Sequence, residues 1–199
     1  CPNTGSMMGL LDEGNEVFVS KNDDPKRKLK YTLEIIKVKK NLVGVNTHFA
    51  NKIAFHGLSN NLVKEVKNTN NIKPEVFFDK ETRFDFLVEK DNQKTFVEVK
   101  NVTLSRKDKL AEFPDAVTTR GSKHLKTLIA ATKKGYKTYL LFLVQIQGVT
   151  DFKIAKDIDK EYYENYKLAK KAGVKFLAYR CKISSKEIKI EKKIKIIND

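Results

Sequence analysis

Cysteine is nearly absent from this sequence. Cys1 and Cys181 are the only two, and they form no CxxC pair. That excludes a disulfide framework and a thiolate zinc site. Histidine is almost as scarce. His48, His56 and His124 lie too far apart for a motif such as HExxH. No apolar run approaches the ~20 residues needed to span a bilayer. The N-terminus lacks a basic stretch followed by a continuous apolar one, so no secretory signal is expected. Together these absences predict a reducing, cytoplasmic setting. The chain starts at Cys1 and not at Met, as a trimmed protein or a piece of a longer frame would.

Acid is in deficit too. The formal net charge is +15 and the pI about 9.6. Such a charge says little about fold and much about partners, here nucleic acids or anionic membranes. A membrane surface asks for a basic amphipathic helix, and none stands out. Nucleic acid is therefore the expected partner. Only five of the 40 basic residues are Arg, a bias that an AT-rich genome would also produce. The 40% hydrophobic content and 199 residues allow a packed core in one or two domains.

Two zones follow from the patterning. Residues 1–47 read as β-rich. PNTG (2–5) and Gly14-Asn15 are turn signals. Short alternating runs lie at Glu16–Ser20, Leu29–Val38 and Leu42–Thr47, with a polar loop around Pro25 between the first two. Three strands are too few to close a barrel. From residue 48 the pattern turns helical through about 68, with Gly57 expected to kink or divide the helix. Strands are predicted over Ile72–Phe78, Arg83–Glu89 and Thr95–Leu104, the last two joined by an Asp91-Asn92 turn. Ser105–Glu112 reads as a charged loop. A helix follows over 118–133, stopped by Gly135. Lys137–Gln145 contains YLLFLV, typical of a strand buried on both faces. A helix at Lys160–Ala172, a strand at Val174–Cys181 and an Ile/Lys edge strand at 188–197 complete the chain. The order predicts a mixed sheet with helices on both faces.

Charge inside the predicted strands marks the candidate site. Arg83 and Asp85 interrupt one apolar run, and Glu98 and Lys100 the next. Such charges cost free energy unless paired or bound. Strand alternation puts Glu98 and Lys100 on one face, together with Phe96 and Val102. Asp85 is expected to share a face with Arg83 and Leu87. In-register pairing would bring Asp85 to Glu98, and two adjacent carboxylates repel unless a cation sits between them. Mg²⁺ or Mn²⁺ suits one or two carboxylates, and a lysine beside it can counter charge developing on a phosphate. Glu-Val-Lys alone is a weak motif that solvated strands often carry. The spacing D-x₁₂-E-x-K on two strands within an α-β-β-β-α-β order is what matches the core of PD-(D/E)XK nucleases. A second segment, FPDAVTTRGSKHLKTL (113–128), starts a helix capped by Thr118 or Asp115. Arg120 and His124 share one helix face there, with Lys123 and Lys126 nearby, a basic helix start suited to phosphate.

CPNTGSM (1–7), RKLKYTLE (27–34), GVNT (44–47), RFDFL (83–87), EVKNVTL (98–104), the 113–128 stretch and GVKFLAY (173–179) together resemble the SfsA family of sugar fermentation stimulation proteins. The resemblance covers nearly the whole chain. It implies an α/β (α+β) protein: a partial OB-fold-like β domain over residues 1–47, its first strands missing, followed by a restriction-endonuclease-like PD-(D/E)XK domain over 48–199. It further implies DNA binding, a link to sugar metabolism genes, Asp85 and Glu98 as metal ligands and Lys100 as the catalytic lysine. Many such nucleases carry an acid on the first helix. Residues 48–58 contain none, which leaves Glu75 as a candidate third ligand.

The expectation is a cytoplasmic, largely non-sequence-specific DNA-binding protein with an Mg²⁺- or Mn²⁺-dependent phosphodiesterase site. Lys26, Arg27, Lys28, Arg120, Lys123, His124 and Lys126 would meet phosphates, a contact that positions without reading bases. The alternatives are an inactive DNA-binding regulator and an RNA-binding or RNA-processing protein. The oligomeric state is left open, a homodimer included.

Overall fold

The structure, a computed structural model, describes residues 1–3 and 5–197. The turn expected over residues 2–5 includes Thr4, which lies outside the described residues. Among the described residues no helix is long and apolar enough to cross a membrane.

Three antiparallel strands come first: β1 (Glu16–Lys21), β2 (Tyr31–Val38) and β3 (Asn41–Gly44). Their outer positions are exposed and their inner ones bury Ile35, Ile36 and Val43. The small sheet has no core of its own. Ile35 packs into one of the two apolar clusters among the described residues, and Ile36 and Val43 into the other. Gly44 N–H also donates to the Gln145 carbonyl at 2.9 Å, which ties this sheet to the next.

Helix α1 (Ala50–Ser59) follows. It is shorter than the apolar spacing predicts, because Asn61 takes a left-handed φ of 57° and the chain turns off there. Gly57 does not kink it. The residue is buried within the helix, and a Cβ there would collide with Ile190. Its smallness lets the helix approach the sheet. Leu58, Val63 and Val66 still reach the core, which is why the helical spacing seemed to run on.

The central sheet has six strands in the order β12-β11-β9-β6-β5-β4. A meander of β4 (Asn71–Phe77), β5 (Arg83–Lys90) and β6 (Gln93–Val102) forms one half. The segment expected to be a loop at 105–112 is instead a hairpin, β7 (Leu104–Lys107) and β8 (Leu110–Phe113). Its charges look like a loop's, but Arg106 and Glu112 satisfy each other across the strands. Next come α2 (Thr119–Lys133), β9 (Lys137–Val144), β10 (Asp151–Ile154), α3 (Lys160–Ala172), β11 (Lys175–Ile183), β12 (Ile188–Lys193) and β13 (Lys195–Ile196). β6, β9 and β11 run parallel and β12 closes the edge antiparallel. β9 is buried as its apolar run requires: Leu140 to Val144 are all 0% exposed. β7, β8, β10 and β13 make a further, four-stranded sheet that the short β10 and β13 conceal in the sequence. α1 covers one face of the central sheet, and α2 with α3 the other.

Candidate active site

The β5–β6 hairpin sets the geometry. Asp91 and Asn92 both take positive φ, 47° and 62°, as a tight two-residue turn demands. That turn fixes the register from Lys90 opposite Gln93 down to Phe86 opposite Val97. The next rung would set Asp85 against Glu98, but the ladder stops. Asp85 Oδ2 instead accepts the Val99 N–H at 2.7 Å. On its other side Glu75 of β4 has φ 57°, and the β4–β5 pairing skips the Glu75–Asp85 rung. Alternation breaks at the same place. Phe86 and Val88 lie in the α1-side cluster, whereas Phe84, two residues away, lies in the other. A local irregularity of this kind re-aims a side chain. Asp85 consequently leaves the face of Leu87 expected for it, and its Oδ1 accepts from Asn51 Nδ2 of α1 at 2.7 Å.

Glu98 and Lys100 turn toward α2, while the Asp85 carboxyl stays at the seam between β5 and β6, near enough for the Glu98 charge to act on it. Lys100 Nζ donates to Glu98 Oε1 at 2.7 Å. His124 Nδ1 closes on the same oxygen. Lys100 Nζ also lies 3.3 Å from His124 Nδ1. Glu98 is 2% exposed, yet its Oε2 has no partner among the described residues.

Helix α2 places His124 by three devices. Thr118 caps it, accepting the Gly121 N–H at 3.0 Å. Asp159 accepts from Thr118 N–H at 2.8 Å and also caps α3, so the two helix starts share one anchor. Gly121 carries no side chain where a Cβ would press on Thr118 and the Tyr162 ring. The first turn of α2 thus lies close to α3, and His124 drops onto β6. Tyr162 itself is fully buried with a hydroxyl lacking a partner, the second such atom among the described residues.

The two carboxyls titrate apart. Burial, then the Glu98 charge, pushes Asp85 up to about 6, although Val99 N–H, Asn51 and Lys100 pull the other way. Burial also works against ionised Glu98, but Lys100 and His124 outweigh it and hold its pKa below the ordinary value. One acid is thus held ionised, and the other is held back by burial first and by that charge second. A divalent cation between them would relieve both, and the unpartnered Oε2 of Glu98 is an oxygen it could take. Among the described residues no three His, Cys, Asp or Glu side chains converge as a ready metal cage. Two carboxylates with water and phosphate completing the shell is the Mg²⁺ pattern.

The remaining sequence candidates disperse. Glu75 is half exposed and ion-paired with Arg83 at 2.7 Å, not turned to Glu98. Arg120 reaches the site through its Nε, 3.5 Å from His124 Nε2. Lys123 and Lys126 stand on the exposed side of α2, paired with Glu81 at 3.0 Å and Glu161 at 3.4 Å. Lys26, Arg27 and Lys28 are exposed in the β1–β2 connection, where Asp24 organises the turn. His124, expected to meet phosphate, is buried against Glu98. Asn51 is the residue the sequence reading passed over. It stands on the first helix, where an acid was sought, and its amide reaches Asp85 instead.

A three-stranded β region joined to a mixed-sheet α/β unit, with a carboxylate–lysine cluster on the central strands, defines a two-part α/β protein with an OB-type start. Family models agree. The SfsA N-terminal OB domain matches residues 1–45, and the sugar fermentation stimulation protein RE domain matches 48–187. The chain belongs to the sugar fermentation stimulation protein (SfsA) family. A homolog from Pelagibacter ubique is 86% identical over 198 residues, spanning 100% of this chain and 85% of the relative. One from Pseudoalteromonas atlantica is 40% identical over 99% of this chain and 85% of its own length. The solved structure of Pyrococcus furiosus SfsA in complex with Ca²⁺ matches with a TM-score of 0.89 and 26% identity, over 98% of this chain and 84% of that one.

Proposed function

We propose that this protein binds DNA without strong sequence preference and cleaves phosphodiester bonds with a divalent cation, Mg²⁺ or Mn²⁺, held by Asp85 and Glu98. The observation that carries this reading is the buried, unpartnered Oε2 of Glu98 next to a second carboxyl whose ionisation it opposes. An acid left half-satisfied in a core is costly unless something else binds it. The Ca²⁺ in the related Pyrococcus furiosus structure supports a cation in this family. Bound there, the cation would polarise a phosphoryl oxygen and lower the pKa of a water. Asp85 is pinned through both oxygens, by Asn51 and Val99, so it presents a fixed ligand. Lys100 is held beside Glu98, from where its ammonium would offset negative charge building on a phosphate. Arg120 at the α2 start, with Lys123 and Lys126, would hold the polymer backbone. Glu75, committed to Arg83, has no part in this reading. Two free thiols, Cys1 and Cys181, fit a cytoplasmic setting.

The test is incubation with labelled DNA and RNA, with and without Mg²⁺ or Mn²⁺. Metal-dependent DNA cleavage, lost in Asp85→Ala and Lys100→Ala while binding persists, is the expected result. Salt-sensitive DNA binding with no cleavage under any metal would leave a binding protein only. A preference for RNA would replace both.

A further inference from the structure

His124 of α2 closes on the Oε1 oxygen of Glu98. We propose that it is a positioning residue: its ring holds Glu98 by Oε1 and so keeps Oε2 available to the cation. The inference rests on the metal-dependent reading above.

Two donors converge on Oε1, Lys100 Nζ at 2.7 Å and His124 Nδ1. An ionised carboxylate oxygen only accepts, so Nδ1 is the donor. Nε2 is then the acceptor, and the Arg120 N–H that faces it at 3.5 Å favours this tautomer. The ring is only 8% exposed and sits on a helix turn fixed by Thr118, Gly121 and Asp159. Its direction is set before any ligand arrives. Lys100 by contrast is a flexible ammonium with three hydrogens. Without the ring, the Glu98 carboxylate is free to rotate and give Lys100 both oxygens. Oε2 would then be spent on the lysine. His124 blocks that rotation by occupying the second donor position on Oε1.

Mn²⁺ titration by calorimetry, without any nucleic acid, separates this role from general structure. Asn places its amide nitrogen where Nδ1 stands, and Gln places it where Nε2 stands. His124→Ala and His124→Gln are expected to weaken Mn²⁺ binding by about 10- to 100-fold, the usual cost of losing a residue that orients a metal ligand. His124→Asn is expected to stay within about threefold, because the orienting donor returns. Should His124→Ala fail to fold, the Asn/Gln contrast decides alone. If Asn and Gln weaken binding equally, or neither does, while Asp85→Ala abolishes it, the positioning role is overturned and the metal site stands. If the unaltered protein takes up no Mn²⁺, both fall together.

Discussion

Two glutamates in this protein are buried to the same degree and treated in opposite ways. Glu112, on β8, is 1% exposed, and Glu98, on β6, is 2% exposed. Glu112 receives Arg106 through both oxygens, at 2.8 Å and 2.9 Å, and Lys153 approaches at 3.5 Å. Arg106 continues to Asp157 at 2.9 Å. Every oxygen of that cluster is used, and the pKa of Glu112 falls despite burial. Glu98 receives both of its donors on one oxygen and none on the other. The difference separates an ion cluster complete within a hairpin from one that leaves a buried oxygen over. Burial alone does not distinguish them; completeness of pairing does.

The comparison breaks most directly with two matched substitutions. Glu112→Gln removes the charge from a complete cluster and should cost about 3 kcal/mol of stability, the lower part of the range for breaking a buried pair, because Arg106 keeps some access to water. Glu98→Gln keeps an acceptor for Lys100 and His124 and ends the repulsion with Asp85. It should cost about 1 kcal/mol or less. Urea denaturation of both variants measures this. Equal losses would mean that Glu98 is structural after all.

Asp85 supplies a test in pH. Its folded pKa is raised from 3.8 to about 6. Below 3.8 the folded and unfolded chains both hold the proton. Between 3.8 and 6 the folded chain keeps a proton that the unfolded chain has lost, so stability falls as pH rises through this window and levels off above it. The fall should amount to about 3 kcal/mol. Asp85→Asn should remove it, leaving the variant more stable than the parent at pH 7 when no divalent cation is added. Denaturation curves at pH 4 to 7.5 would show it, and parallel curves for both proteins would contradict it.

Divalent cation should separate the two clusters by a somewhat smaller amount. At 100 times its dissociation constant, Mn²⁺ should stabilise the parent by about 2.7 kcal/mol. Glu112→Gln should keep that increment and Glu98→Gln should lose it. Thermal midpoints with Mn²⁺ and with chelator would decide.

The sequence shows the fold class and the charged positions on β5 and β6, but not every element of the frame around them. Asp85, Glu98 and Lys100 could be singled out because charge within an apolar strand is costly, and the two-residue turn at 91–92 fixed which rungs meet. The break in alternation at Asp85 could not be read: it coincides with a positive φ at Glu75, a residue with no special preference for one. The 105–112 hairpin stayed hidden for a related reason. Its strands are short, and most of its charges are exposed as a loop's would be, with only Glu112 buried against Arg106. β10 and β13 are held by pairing partners far away in the chain, which local pattern cannot reveal. His124 was legible as a neighbour of Arg120 on one helix face. That the face turns inward, onto β6, follows from Gly121 and the shared Asp159 anchor.

The smallest effect concerns the outer face of α2 against the β1–β2 connection. Both carry exposed cations, and charge alone does not say which one meets the polymer. Lys123 and Lys126 are already paired with Glu81 and Glu161, but such exposed pairs contribute about 0–1 kcal/mol and open readily. Lys123→Ala and Lys126→Ala should therefore leave stability within about 0.5 kcal/mol of the parent. If each touches a phosphate, the slope of log binding constant against log salt should shrink by about 0.9 per residue. The same measurement on Lys26→Ala and Lys28→Ala gives the other side of the comparison. Helix α2 leads into the Glu98 cluster through Arg120 and His124, so a strand bound along it runs toward the carboxylates. The larger change in slope is expected there, and a larger change from the β1–β2 loop would move the polymer's path to the OB-type sheet.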